Sequence, residues 1–245
     1  MQYTFHRFEA VTSTNDLVIA MAEEGAPEGT VAVADEQVAG RGRRGRYWVS
    51  PPDSGVYLSV LLKPDIPSDR FWQLAFVASL AAAEGIRWVS RLEVHVKWPN
   101  DVLINGRKVC GILVEARKPS ISFEPVAVIG IGVNVNMMEF PPELADTATS
   151  IAIEAGAPAP RHAVERGVLD ALSTRYDQYR TEGFRPILNS WKNLDCTVGR
   201  DVAVQSARGT VEGTAVEVNA RGSLILRLRD GSLEEITTGE VLFAG

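Results

Sequence analysis

Residues 40–46 read GRGRRGR, and the residues that follow, Tyr47-Trp48-Val49-Ser50-Pro51-Pro52, cannot open an amphipathic helix. This removes the fold that the letters first suggest. Gly40-Arg41-Gly42-Arg43-Arg44-Gly45 satisfies GxGxxG, but a dinucleotide cradle needs a helix N-terminus facing the pyrophosphate directly after the glycines. The flanking runs, "GTVAVADEQ" from Gly29 and "GVYLSVLLK" from Gly55, are strand-like. The chain must therefore build a sheet in which an arginine-rich loop hangs between two buried strands.

That loop holds four arginines and three glycines in a chain whose net charge is −6. Arg-Gly clusters that bind nucleic acid through counterion release form long tails on basic chains. A nucleic-acid-binding module is thus an alternative that explains the arginines and little else. A plain surface turn gains nothing from mutually repelling guanidiniums. The remaining reading is a loop whose glycines admit an anion to the backbone amides while guanidiniums grip phosphate or carboxylate. With its charges unneutralised, such a loop is expected to repel itself, stay mobile and close on an anionic ligand.

Around the loop the sequence predicts an α+β fold, one mixed sheet packed with helices. Tyr3–Ala10 reads as a strand, and Thr12, Ser13, Thr14 and Asn15 offer N-caps for a helix from about Asp16 to Glu24. A long alanine- and leucine-rich helix runs from Arg70 to about Ser90. Strands follow in "LEVHVKW", in "DVLINGRKVCGILVEA" with Asn105-Gly106 at the centre of a type I′ hairpin, and in "PVAVIGIGVNVN". Helical periodicity returns from roughly Arg161 to Trp191, with Val164, Val168, Leu169, Leu172, Tyr176 and Tyr179 on one side. After Asp195 short strands alternate with glycine turns at Arg208-Gly209, Arg221-Gly222 and Asp230-Gly231, which suits a small β-barrel and places a domain boundary near residue 195.

The 245 residues suffice for a large domain and a small one, and 45% hydrophobic with 23% charged residues is ordinary for a globular chain. The longest apolar stretch, "FWQLAFVASLAAAEG", is too polar to span a bilayer, and the N-terminus lacks a signal-peptide pattern, so neither a membrane segment nor export is expected. Cys110 and Cys196 lack CxxC spacing, which fits core residues in a reducing cytoplasm, and His6, His95 and His162 form no metal-binding pattern.

Two further segments carry chemistry. In "KWPNDVLING", Lys97 stands at a strand end, where its stem can be buried while the ammonium faces a cavity. In "IGIGVNVN", Gly130 and Gly132 suit a backbone that a ligand approaches closely. The succession of Ser-Thr-Asn near the N-terminus, GRGRRGR, KWPND, G-I-L-V-E and G-I-G-V-N-V-N spans residues 13–136 and resembles the biotin protein ligases across nearly the whole chain.

The resemblance implies a catalytic domain of the class II aminoacyl-tRNA synthetase-like, biotin/lipoate ligase type over residues 1–195, binding biotin and ATP, and an SH3-like C-terminal domain over residues 196–245. Only eleven residues precede Thr12, so the chain looks like the monofunctional class without an N-terminal DNA-binding domain. In that family biotin and ATP, with Mg²⁺, form biotinyl-5′-adenylate and pyrophosphate. A lysine of the biotin carboxyl carrier protein of a carboxylase, such as acetyl-CoA carboxylase, then takes the biotinyl group and releases AMP.

By the same resemblance Ser13, Thr14 and Asn15 meet the biotin head group, Gln37 is another biotin contact, and Arg41, Gly42 and Arg43 fold over biotin and its adenylate. Arg43 also restrains release of the intermediate, and Arg46 reaches the phosphates. Trp48 lies beside the nucleotide-side wall, a buried core tryptophan being the alternative. Lys97 contacts both the biotin carboxylate and the α-phosphate, Gly111 lets backbone approach biotin, and Asn134 contacts the nucleotide. Asn100 and Asp101 are expected to hold the loop. Residues 137–150, "MMEFPPELADTATS", match no family residues individually, and no cluster reveals Mg²⁺ ligands. Pairing as a homodimer is a frequent family arrangement, and neither DNA nor a membrane is an expected partner. The nearest alternative is a lipoate or octanoate ligase or transferase of the same superfamily, whose RRxxGGGxVxH-like segment is absent.

Overall fold

The computed structural model describes residues 1–122, 124–206 and 209–243. Strand β1 (Thr4–Val11) runs parallel to β2 (Thr30–Gln37), and helix α1 (Thr14–Glu23) joins them. The arginine loop leads into β3 (Gly55–Leu62), every residue of which is buried. Such a strand, buried along its whole length, takes an interior place in a sheet covered on both sides. With β4 (His95–Lys97), β5 (Asp101–Ile104), β6 (Arg107–Arg117) and β7 (Val126–Asn134), the sheet has the order β1-β2-β3-β7-β6-β5-β4.

Alternation along the strands sorts the two faces. Val31, Val33, Leu58, Val60, Ile129 and Ile131 join one core with Leu74, Leu80, Val168 and Leu172 of α2 (Gln73–Ser90) and α4 (Arg161–Glu182). Ala32, Leu61, Val126 and Val128 form a smaller cluster on the other face under Val18 and Ala22 of α1. Further along that second face, β7 carries Gly130, Gly132 and Asn134 in place of aliphatic residues. The sheet is therefore bare where α1 begins, and the bare stretch is the floor of a cavity.

After Asp195 the chain forms a five-stranded antiparallel sheet, β8 (Asp201–Ser206), β9 (Gly209–Val218), β10 (Leu224–Arg227), β11 (Leu233–Ile236) and β12 (Glu240–Phe243), in the order β11-β10-β9-β8-β12. Trp98 fastens the two sheets together: it is 1% exposed, and its indole nitrogen donates to the Gly222 carbonyl at 2.8 Å. The expected α+β architecture, a mixed sheet with helices followed by a small antiparallel β unit, is the one observed.

The differences are local. The helix expected to run to Trp191 stops at Glu182, because Gly183, at φ +79°, turns the chain before α5 (Phe184–Lys192) resumes the apolar pattern. A five-residue helix α3 (Ile151–Ala155) was not foreseen; Ser150 Oγ caps it by accepting from Ile153 N at 3.1 Å. Helix α1 begins at Thr14, two residues early, and the Ser13 side chain at its N-cap makes no capping bond. Asn105 and Gly106, at φ +49° and +78°, form the predicted turn between β5 and β6. Of the turn expected at Arg208-Gly209, Arg208 lies outside the described residues.

Candidate active site

The cavity on the bare face measures about 380 Å³ and is lined by all twelve residues that the sequence singles out as site candidates. Its two ends differ in chemistry. Where α1 begins, Thr14 and Asn15 turn inward from the first helical turn. Gln37 Oε1, at the end of β2, accepts from Thr14 N at 2.9 Å and from Thr14 Oγ1 at 3.1 Å, while Gln37 Nε2 donates to Ser50 Oγ at 3.0 Å. Ser59 Oγ on β3 stands 2.7 Å from Thr14 Oγ1 and 2.5 Å from Asn15 Oδ1. Ser13, Thr14, Asn15, Gln37 and Ser59 are all buried. A buried network of hydroxyls and amides suits a neutral ligand that offers both donors and acceptors.

The floor explains the glycines. A Cβ at Gly130 would stand 2.3 Å from Asn15 Oδ1, and one at Gly132 would stand 2.4 Å from Trp48 Nε1. Gly111 is the register partner of Gly132 on β6, and a Cβ there would meet Trp48 Cζ3 at 3.0 Å. These positions are thus kept small by the side chains of Asn15 and Trp48, which lie on them; the close approach attributed above to a ligand is made by the protein itself. Trp48 is a half-buried wall of the cavity with its ring against the paired Gly111 and Gly132, and its Nε1 is a buried donor with no partner among the described residues.

The other end is cationic. Lys97, the last residue of β4, donates to the Val241 carbonyl at 3.1 Å and lies 3.8 Å from Asp101. Burial pushes its pKa below the ordinary lysine range, and the Asp101 carboxylate works against that shift. Arg43 donates to Asn100 Oδ1 at 2.6 Å and to Thr238 Oγ1 at 3.1 Å, and burial lowers its pKa as well. Arg46 pairs with Glu240, and Arg44 donates to the Gln205 carbonyl at 2.5 Å. Arg41 forks between Asp16 at 2.6 Å and Glu115 at 2.7 Å, over the neutral end. The four guanidiniums point to separate acceptors, which strap the loop to α1 on one side and to the C-terminal unit on the other, while Arg44 and Arg46 still repel Arg43.

A family model described as the biotin/lipoate A/B protein ligase family matches residues 7–134, and one described as the biotin protein ligase C terminal domain matches residues 197–243. The chain belongs to the biotin protein ligase family. A bifunctional ligase/repressor, BirA, of Bacillus subtilis is 39% identical over 91% of this chain and 69% of its own length. The biotin–[acetyl-CoA-carboxylase] ligase of Paracoccus denitrificans is 36% identical over 87% of this chain and 90% of its own. Among solved structures, the Aquifex aeolicus biotin protein ligase in complex with biotin and ATP superposes with a TM-score of 0.83 at 29% identity, covering 98% of both chains.

Several residues of this biotin protein ligase site escape sequence reasoning. Ser59 is one hydroxyl in an apolar strand and carries no motif. Glu115 closes "GILVE" and receives Asn15 Nδ2 at 2.8 Å as well as Arg41. Phe140, Leu144 and Ala148 bring the 137–150 segment into the wall, and Asn134, placed on the nucleotide side by resemblance, donates its amide to the Thr149 carbonyl at 3.0 Å, bracing that segment. Asn100 holds the loop as expected, through Arg43. Asp101 does not: its carboxylate faces Lys97 and Lys108.

Proposed function

We propose that this chain joins biotin to ATP, forming biotinyl-5′-adenylate, and passes the biotinyl group to one lysine of a biotin carboxyl carrier protein. The supporting observation is the polarity of the cavity: a neutral hydrogen-bonding end continuous with an end where Arg43, Arg46 and Lys97 gather. A ureido ring offers the donors and acceptor that Ser13, Thr14, Asn15, Gln37 and Ser59 can meet. A dithiolane or an alkyl chain would leave that network unmatched, which disfavours the lipoate and octanoate readings.

In the first step a biotin carboxylate oxygen attacks the α-phosphorus, the bond to the bridging oxygen of the β-phosphate breaks, and pyrophosphate leaves. Lys97 stands where two anions must meet and would offset their repulsion while stabilising charge on the transferring oxygens. Arg46 would exchange its Glu240 partner for phosphate oxygens. Trp48 would wall the nucleotide side, with Asn134 holding the segment behind it, Gly111 would make room for the Trp48 ring beside the ligand, and Gly42 would leave backbone open there. Arg41 and Arg43 would close over the mixed anhydride and slow its escape to water. In the second step the carrier lysine nitrogen attacks the acyl carbon, the carbon–oxygen bond breaks and AMP departs.

Mg²⁺ would enter as the complex of ATP, held by phosphate oxygens and water. Asp101 and Glu240 are already paired with cations, and among the described residues no group of three potential metal ligands gathers. The division into a catalytic unit, residues 1–195, and a C-terminal unit, residues 196–245, belongs to the same reading. No helix among the described residues is long and apolar enough to cross a membrane, and the proposed reaction would take place in the cytoplasm. Pairing as a homodimer would use the edge of the large sheet at β1, since Val96 of β4 already bonds Leu194 and Cys196.

The test is transfer itself. Incubation with Mg·ATP, a carrier domain and either biotin or lipoate should add one biotinyl mass to one carrier lysine and leave lipoate unused. Transfer of lipoate at comparable rate would overturn the choice of acid.

A further inference from the structure

The short helix α3 carries Glu154, whose side chain is 5% exposed. Three donors from two segments converge on its carboxylate. Arg107, the first residue of β6, and Thr149 Oγ1 each donate to Oε1 at 2.6 Å, and Asn105 Nδ2, from the turn before β6, donates to Oε2 at 2.6 Å. Glu154 does not line the cavity, but both segments that it grips run into it: Lys108, beside Arg107, and Thr147 and Ala148, just before Thr149, are lining residues.

Thr149 closes a clasp. Upstream of it Leu144, Ala145, Thr147 and Ala148 donate their backbone N–H groups to carbonyls of residues 141–144, so this turn bonds to itself. It is tied to the large sheet at its end, where Lys108 N donates to the Thr147 carbonyl at 2.8 Å, Thr149 N to the Lys108 carbonyl at 2.9 Å, and Asn134 Nδ2 to the Thr149 carbonyl at 3.0 Å. Glu154 adds the last grip, on the Thr149 hydroxyl. Phe140 and Leu144, which the segment brings to the cavity, are apolar and suit the face of a nucleobase.

A carboxylate this deeply buried gains little net stability from one guanidinium, because desolvation offsets most of the attraction. What three converging donors give is a fixed geometry. We propose that Glu154 is a positioning residue for nucleotide binding: by clasping Thr149 to the β5–β6 turn, it sets the wall formed by residues 140–148 against the sheet at the spacing a nucleotide requires. The inference rests on the adenylation reading, which makes that nucleotide ATP. The bonds among Thr14, Gln37, Ser59 and Asn15 at the neutral end involve none of these residues, so biotin binding should not depend on Glu154.

The experiment compares wild type, Glu154→Ala, Glu154→Gln, Thr149→Val and the double variant Thr149→Val/Glu154→Ala. ATP and biotin binding are measured separately by calorimetry, beside biotin-dependent pyrophosphate exchange. Glu154→Ala should weaken ATP binding and raise the KM for ATP about tenfold, with the biotin Kd within about twofold of wild type. Glu154→Gln, which keeps the shape and one acceptor, should recover part of the loss. Thr149→Val should weaken ATP binding several-fold, and the double variant should be no worse than Glu154→Ala, since both substitutions break the same bond. Unchanged ATP binding in Glu154→Ala, an equal loss of ATP and biotin binding with a lowered thermal midpoint, or additive losses in the double variant would overturn the proposal. Should Glu154→Ala fail to fold, Thr149→Val decides, and an ATP Kd that does not rise in it overturns the proposal as well. A wild type that binds ATP, and loses that binding selectively in these variants, yet catalyses no exchange with biotin would retain the role of Glu154 and reject the adenylation reading.

Discussion

Gly130→Ala and Gly132→Ala each add one methyl to the cavity floor, and the two variants should fail differently. The new Cβ stands 2.3 Å from Asn15 Oδ1 in the first and 2.4 Å from Trp48 Nε1 in the second. Neither contact can persist, and β7 is held on both sides, by β3 and β6, so the overlying side chain must move. In Gly130→Ala, Asn15 gives up its contacts to Ser59 at 2.5 Å and Glu115 at 2.8 Å. At about 1 kcal/mol for each buried hydrogen bond, the head-group end loses about 2 kcal/mol, which corresponds to a roughly 30-fold higher biotin Kd. In Gly132→Ala the displaced tryptophan costs about 1–3 kcal/mol, as overpacking does, and the loss falls on the nucleotide end. Calorimetric titration with biotin and with ATP, alongside thermal midpoints, separates the two. An unchanged biotin Kd in Gly130→Ala, or equal loss of biotin binding in both variants, would refute the assignment of the two ends.

Lys97→Ala should lose most adenylation while its thermal midpoint stays close to wild type, since an ammonium held partly desolvated in a cavity contributes little to folding; a large fall in midpoint would make Lys97 structural. Arg43→Gly should still form the adenylate but release it sooner, by several-fold in a filter-retention assay, because the loop loses its bonds to Asn100 and Thr238. Equal retention would remove Arg43 from that role. Glu115→Gln takes the charge from the acceptor shared by Asn15 and Arg41 and should speed biotin dissociation several-fold in stopped flow, with ATP binding unaffected.

What the sequence made legible was local. Strand runs, the Asn105-Gly106 turn and the residues of GRGRRGR and KWPND could be placed because periodicity and turn chemistry act over a few neighbours. The break at Gly183 was hidden because the apolar pattern resumes on its far side. The partners of the site residues were illegible for a different reason. Asn15 meets Ser59 and Glu115, 44 and 100 positions away, and Arg46 meets Glu240, 194 positions away. Only the sheet register and the docking of β12 against the loop bring these together. Asp101 is instructive: its place in KWPND marks it as part of the site, yet its role depends on Lys108, which reaches it across the bulged β5–β6 ladder.

The central claim is that one cavity activates biotin with ATP, and the most direct measurement is exchange of labelled pyrophosphate into ATP by the purified protein with Mg²⁺, with biotin, lipoate and octanoate supplied separately. The account predicts exchange with biotin and none above background with the other two acids. Absence of exchange with every acid, in protein shown to be folded, would contradict it.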